Sequence, residues 1–481
     1  MPPLQCSLTR DEIQLTQMRS HDLIPQLSGK VCYNSVKPKV EGIMLVVEAK
    51  LKNGTPEQYQ KFDEAIRTAQ FVRNKCVKFW MENKGTTKND LQKLCAVLAK
   101  DSTTPWVNKL NSQARQSSAD RAWQAISRFY ANCRDLSIRK KGFPKFKKHS
   151  MSVEYKITGY SLSGNRKQIT FTDGFKVGTF DLWCSQKTLV YYSSQQIRRV
   201  RVVKRADGYY CQFLINYDRE ESHEFTGSVV GIDLGLKEFY TDSNGKTVEN
   251  PRFLRKSERR LKKAQRRLSK CHRKRQKQSS NYHKQRQKVA KLHLKVFRQR
   301  KDRAIKDALA LVQSNDLVVY DALKVSNLVK NHKLAQSISD ASWYQFTQWV
   351  NYFAKIHKIT CIAVPPQFTT IDCSVCGAKV YKTLSTRTHQ CPDCQTVLDR
   401  DWNAAINILK KGLKYLGEYL NGTVGQAETD PNDWGESGLW VFNRDVEDLS
   451  RLVEPVISRS DSGRIPRQAR SLTVGVCQCT Q

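Results

Sequence analysis

The residues MLVVEAKLK at 44–52 alternate apolar and polar positions, the period-two pattern of a half-buried strand, and NGTPEQ behind them supplies a turn and a helix start. From Pro56 to about Asn83 the period changes. Phe62, Ala65, Ile66, Ala69, Phe71, Val72, Cys76, Phe79 and Trp80 recur at helical spacing. Further helices are predicted over 88–100 and 106–134, the latter carrying Ala119, Trp123, Ile126 and Tyr130 three or four positions apart. Residues 152–218 return to short β-rich runs (QITFTD, TLVYYS, RRVRVVKR and YYCQFLINY) separated by Gly, Asn, Asp and Ser, which predicts a small antiparallel barrel or sheet. The strand at 44–52 is expected to join it, making the helices an insertion between β elements.

TGSVVGIDLGLKEFYTDSNGKTVE then reads as a buried strand (Val229, Val230, Ile232), a Gly-permitted bend, a second strand and an Asn-Gly turn. Two helices with a break at QSSN (278–281) should follow. LVVY (317–320) and TCIAVPP (360–366) look like further buried strands with a helix at 340–356 between them, an alternation that implies an α/β core. On that helix Trp343, Tyr344, Phe346 and Trp349 have helical spacing and are expected to pack on the sheet. The ends differ: residues 1–43 are polar without periodicity, and beyond about residue 422 the chain is rich in Gly, Asp and Ser, so 411–481 is read as a largely disordered tail.

Charge narrows the partners. Lys and Arg number 82 against 45 acids, a net charge of +37, and self-repulsion of that size calls for a polyanion. Nucleic acid is the expected one. No apolar run is long enough to span a membrane, no amphipathic basic helix carries a Trp/Leu face, and no signal-peptide layout opens the chain, so the expected compartment is the cytoplasm. Residues 252–303 hold 23 Lys or Arg against Glu258 and Asp302 alone. Arg259, Arg260, Lys262, Lys263, Arg266, Arg267, Arg273, Lys274 and Arg275 are the candidate phosphate contacts there. A second basic segment, from Arg139 through Lys140, Lys141, Lys145 and Lys147 to Lys148, interleaves Phe143 and Phe146, which could stack on bases or anchor the loop on the barrel.

Two features carry chemistry. Cys373-Ser-Val-Cys376, fourteen residues, then Cys391-Pro-Asp-Cys394 has the spacing of a zinc ribbon: each CxxC offers two sulfurs from one tight turn, and Gly377 permits the bend. Four thiolates leave no open position, so this zinc is expected to be structural. His332 and His389 are read as surface residues. The second feature is acidic. Asp233 ends a buried strand, Asp321 follows LVVY, and Asp401 opens the helix after the cysteines. Taken alone, any one of them is more often a cap or a surface charge. Together, three acids from separate segments could converge on two hard cations about 4 Å apart that clamp a phosphate.

GIDLGLKEF, the basic helices, VSNLVKNHKLAQSISDASWYQF, the CxxC pairs and DRDWNAAINIL occur in an order that resembles the TnpB/OrfB family of insertion-sequence proteins, over about Met44 to Lys411. The resemblance implies an α/β fold with an RNase H-like RuvC core and an inserted zinc ribbon, plus an N-terminal β-barrel with an inserted helical recognition bundle. The corresponding segments are an extension at 1–43, the barrel at 44–55 and 150–225, and a recognition lobe at 56–149. A nuclease domain at 226–410, with basic helices at 252–314 and the ribbon at 370–396, is followed by the tail. It further implies RNA-guided cleavage of double-stranded DNA in a prokaryotic, nucleoid-associated setting, with Asp233, Asp321 and Asp401 holding Mg²⁺ and the four cysteines holding Zn²⁺. A cleavage-deficient guided repressor and a transposase accessory protein are the alternatives. The family usually carries Glu where this chain has Asp321.

Overall fold

The computed structural model describes residues 44–420 except 136–137, 139, 184–188, 191, 194, 217–219 and 384, together with 439–440 and 452. The extension at 1–43, most of the tail and Arg139 therefore lie outside the described residues.

Strand β1 (Met44–Lys52) turns Val47, Ala49 and Leu51 inward and leaves Val46 and Glu48 exposed, as its alternation predicts. It pairs with β5 (Gly178–Trp183) on one side and β7 (Gly208–Asn216) on the other. With β2 (Ser152–Lys156), β3 (Tyr160–Leu162), β4 (Gln168–Phe171) and β6 (Ile197–Arg205) the described residues make an antiparallel sheet in the order β2-β6-β7-β1-β5-β4-β3. The sheet curls nearly into a barrel: from the edge strand β3 the Tyr160 hydroxyl reaches across to the Ile197 carbonyl of β6, next to the opposite edge, at 2.8 Å. TLVYYS adds no strand among its described residues. Leu189 and Val190 form a helical turn instead, and Leu189 satisfies its hydrophobicity by plugging the barrel core.

Helix α1 (Pro56–Glu82) starts from a capping box between Thr55 and Gln58. It serves two cores. Phe62, Ala65, Ile66 and Ala69 fill the barrel, with Phe62 packed 5.0–5.1 Å from the rings of Phe171 and Phe180. Val72, Cys76 and Val77 join a separate core with α2 (Lys88–Lys100) and α4 (Ser112–Arg134). The predicted helix at 106–134 is two helices, α3 (Trp106–Lys109) and α4, because the Asn111 side chain caps α4 and Arg115 Nη1 takes the carbonyls of Val107, Asn108 and Leu110.

The second sheet runs β10 (Thr247–Glu249), β9 (Glu238–Asp242), β8 (Val229–Leu234), β11 (Leu317–Asp321), β12 (Thr360–Val364) and β15 (Leu439–Trp440), with β8, β11 and β12 parallel. Every residue of β11 and β12 is buried, as parallel strands covered on both faces require. One face meets α6 (Ser280–Gln313) and α9 (Trp343–His357); the other meets α10 (Arg400–Leu420). On α9 the buried side is Trp343, Phe346 and Val350. Tyr344 lies about 100° round the helix and is exposed, contrary to expectation, while Trp349 is half-buried. The basic helices separate as predicted into α5 (Phe253–Cys271) and α6. Asp340, in α8 (Ala335–Ala341), which follows the single turn α7 (Val325–Leu328), caps α5 by accepting the Leu254 amide at 2.9 Å and binds Arg300 at 2.7 Å.

The boundary expected at residue 410 falls too early. Helix α10 runs to Leu420 with Leu413 and Leu416 buried, β15 adds to the sheet beside β12, and Leu452 joins the same core. The apolar period of the helix simply continues past Gly412, a residue that admits close contact with Val319 where a side chain would clash. Gly231 on β8 does the same for α10: a Cβ there would stand 2.5 Å from the Ala405 carbonyl and 2.6 Å from the Leu409 amide. Neither atom belongs to a flexible side chain, so Gly231→Ala should destabilise the protein by about 1–3 kcal/mol, the usual cost of overpacking. Equilibrium unfolding in urea measures this; an unchanged midpoint would refute the close seating of α10.

Candidate active site and metal centre

Ile232 and Tyr320 are the last paired residues of β8 and β11, so Asp233 and Asp321 are the next cross-strand neighbours at the carboxyl ends of adjacent parallel strands. Such strands lie about 4.8 Å apart. Asp401 reaches the same place in the first turn of α10, which packs across β8. The Asp233 carboxyl is pushed up to about 8, first by burial and then by the charges of Asp321 and Asp401. Burial also pushes Asp321 up to about 7, against the opposing pull of the Lys411 ammonium and the Thr369 hydroxyl, which lies 3.5 Å from Oδ2. Asp321 Oδ1 is buried and has no hydrogen-bond partner.

Asp401 is held differently. Its Oδ1 accepts from Arg400 Nε and Nη2 at 3.0 and 2.9 Å, and its Oδ2 accepts from Arg387 Nη1 at 3.1 Å. Asp399 caps α10 through the amides of Asp401 and Trp402, and the Trp402 indole donates to the Ser243 carbonyl at 3.0 Å, pinning the helix start beside β9. The structure thus brings the charges of Asp321 and Asp401 to bear on Asp233, without drawing the three carboxylates as close together as the four cysteine sulfurs. Thr369, Arg387 and Lys411 had no sequence signal, because each acts from another segment; Asp399 and Arg400 were legible only as neighbours of Asp401.

The four cysteine sulfurs also converge, all within 4.8 Å of one another. Cys373 and Cys394 stand 3.6 Å apart, Cys376 and Cys391 3.5 Å. A tetrahedron with bonds of about 2.3 Å has edges of about 3.8 Å, so the set fits one thiolate-bound ion. The first pair turns through Gly377, at φ +79°, whose amide bonds to the Cys373 carbonyl at 2.9 Å. The second pair precedes β14 (Val397–Asp399), which pairs with β13 (Thr388–Gln390). Asn403 and Asn407, one turn apart on α10, bond the carbonyl of Asp372, and the Asn403 carbonyl oxygen receives the Ser374 amide. The cysteine unit and Asp401 are therefore fixed to one helix. His389 is not a surface residue. The middle of β13 faces inward, so its ring is fully buried beside the Lys382 ammonium. His332 is exposed as expected.

Arg259, Arg260, Lys262, Lys263, Arg266, Arg267, Arg273, Lys274 and Arg275 are all exposed, and Lys262 makes only a local pair with Glu258. In the other segment Lys140, Lys145, Lys147 and Lys148 are exposed, while the Lys141 ammonium turns back to the Asp135 carbonyl. Gln70, Arg73 and Asn74 of α1 grip the backbone carbonyls of Lys148, Lys145 and Lys147, which leaves those side chains free of the fold. Phe143 anchors on the helices rather than the barrel, against Trp80 and Phe129 at 5.5 and 5.2 Å. Among the described residues no helix is long and apolar enough to cross a membrane.

Residues 212–332 match the OrfB_IS605 family, described as "Probable transposase", and residues 343–408 match a domain described as "Cas12f1-like, TNB domain". A protein of Streptomyces pristinaespiralis named "Putative RNA-guided DNA endonuclease" is 38% identical over 190 residues, 39% of this chain and 46% of that protein. InsQ of Escherichia coli K12, with the same description, is 26% identical over 330 residues, 64% of this chain and 76% of its own. The chain thus spans about half the length of the first relative. A solved Cas12f1-sgRNA-target DNA complex is similar at 13% identity over 74% of this chain and 83% of its own, with a TM-score of 0.46, too low to carry a conclusion.

The sulfur cluster predicts one bound metal ion per chain. Cys376→Ser should lower the metal content and the thermal midpoint together, since a thiolate-bound ion contributes directly to folding. Elemental analysis of well-folded natural protein showing no metal would overturn the assignment.

Proposed function

We propose that this chain, which belongs to the TnpB family, is an RNA-guided DNA endonuclease of transposon origin whose Asp233, Asp321 and Asp401 bind the catalytic cations. The names of its relatives support the activity, and the two matched segments contain every predicted ligand: Asp233 and Asp321 in the first, the four cysteines and Asp401 in the second. The observation that carries the reading is the crowding of buried acids at neighbouring strand ends, with Asp321 Oδ1 unsatisfied. Burying carboxylates side by side is costly unless a cation joins them.

The donor set is all carboxylate oxygen, which suits Mg²⁺, and when bound such ions activate water and stabilise charge on a phosphate. The chain's own residues orient the carboxylates. Arg387 and Arg400 hold Asp401 in one rotamer, Thr369 touches Asp321, and the Lys411 charge favours its ionised form. The β10-β9-β8-β11-β12 order, with β9 antiparallel beside the central β8, supports an RNase H-like RuvC core. The cysteine unit between β12 and α10 supports a zinc ribbon inserted in it, with Zn²⁺ in a closed, structural role. On this reading the barrel and the helices of 56–149 form the wedge-like and recognition lobes, and the exposed basic faces hold guide RNA and DNA.

Asp233→Ala and Asp401→Ala should each abolish Mg²⁺-dependent cleavage while leaving RNA and DNA binding nearly intact, as checked by cleavage and gel-shift assays with the co-purified RNA. Asp321→Glu should preserve or increase cutting, because the longer acid restores the reach usual in the family. If both the natural protein and the Glu variant bind guided DNA but never cut, the protein is a guided repressor; if Asp233→Ala cuts normally, the metal site is wrong.

Nucleic-acid affinity should also fall steeply with salt. Each phosphate neutralised adds about 0.7–0.9 to the log–log slope. A nearly flat plot would exclude the 252–303 face as an interface.

A further inference from the structure

We infer that Phe368 is a stacking platform for a base of single-stranded DNA at the carboxylate site, an assignment that rests on the nuclease reading above. Phe368 lies between β12 and the first cysteine pair. The next residue, Thr369, is buried and reaches Asp321, yet Phe368 is 51% exposed. Its backbone has φ +67°, in the left-handed region that L side chains rarely adopt. The surroundings impose that conformation. The Phe368 carbonyl accepts the amides of Ile371 and Asp372 at 3.0 and 2.9 Å, and the Lys411 ammonium donates to the carbonyls of Pro365 and Gln367 on the near side. A large apolar ring is therefore held out into solvent, by an otherwise unfavourable backbone, one residue before the Thr369 that touches Asp321.

One side of the ring is already occupied. The Lys379 ammonium stands 5.0 Å from the ring centroid, and Lys379 is positioned by the bridge between Asp372 and Lys379. Among the described residues no other aromatic ring packs on Phe368, so a π-face remains for a partner. An aromatic face flanked by a cation suits a nucleotide: the base stacks on the ring and the ammonium neutralises the phosphate. Inside a duplex both faces of a base are covered by its neighbours, so the base that docks here is unstacked and single-stranded. Seated there, it would place the adjoining phosphate near Asp321. This makes Phe368 a substrate-positioning residue.

The test uses natural protein with its co-purified RNA and a short single-stranded DNA carrying 5-iodouracil, photocrosslinked and mapped by mass spectrometry. The crosslink is expected on Phe368. Phe368→Tyr should keep it; Phe368→Leu should lose it and cleave DNA roughly tenfold more slowly at sub-saturating substrate, the scale of one lost base stack. Asp233→Asn should retain the Phe368 crosslink while cutting nothing. A protein that crosslinks at Phe368 but never cuts would keep the platform and remove the nuclease reading. Crosslinks confined to other residues would overturn the platform. So would a Phe368→Leu variant that melts lower but cleaves normally, since Phe368 would then merely brace Lys379.

Discussion

Asp401 reaches the strand ends that carry Asp233 and Asp321 only because α10 lies on the sheet with almost nothing between. Gly231 and Gly412 remove the side chains that would hold the helix away, and the backbone of Ala405 and Leu409 comes close enough to exclude even a methyl group at 231. Asp321 and Asp401 are thereby brought close to Asp233, and their charges add to burial in raising its proton affinity. Most other features of this half of the molecule serve that contact. Trp402 and Asp399 fix where the helix begins, Asn403 and Asn407 fasten the cysteine unit along it, and Arg387 reaches back from that unit to Asp401.

The cysteine unit is thus more than an appendage. Its first knuckle is bonded to the helix that delivers Asp401, and the chain leading into it carries both Thr369 and Phe368. An ion held by the four sulfurs would stiffen the frame around the acids from outside. The exposed basic faces are arranged on a similar principle: their backbones are gripped by neutral or buried partners, as at Gln70, Asn74 and Asp340, so that the charged ends remain free for a polyanion.

Much of this was legible along the chain. The two CxxC pairs, the alternation of β1, the continuously apolar β11 and β12, and the basic run broken near residue 278 are local patterns. The physics that selects them, side-chain period and turn geometry, acts over a few neighbouring residues. The aspartates could be nominated for the same reason, since each follows an apolar strand or opens a helix. Errors came where burial overrode local pattern. Leu189 belongs to a β-rich run but plugs the barrel as a helical turn, His389 is polar but faces inward on β13, and α10 continues past residue 410, where the tail was expected to begin.

By itself, then, the sequence determined which elements form and which residues are chemically able to bind metal or phosphate. Only the tertiary structure decided which of them meet. The register that sets Asp321 beside Asp233, the Trp402 indole on the Ser243 carbonyl and the return of β15 to the edge of β12 all join segments far apart in the chain. Such pairings are chosen by shared burial and hydrogen bonding across the folded core, and a local period carries no record of them.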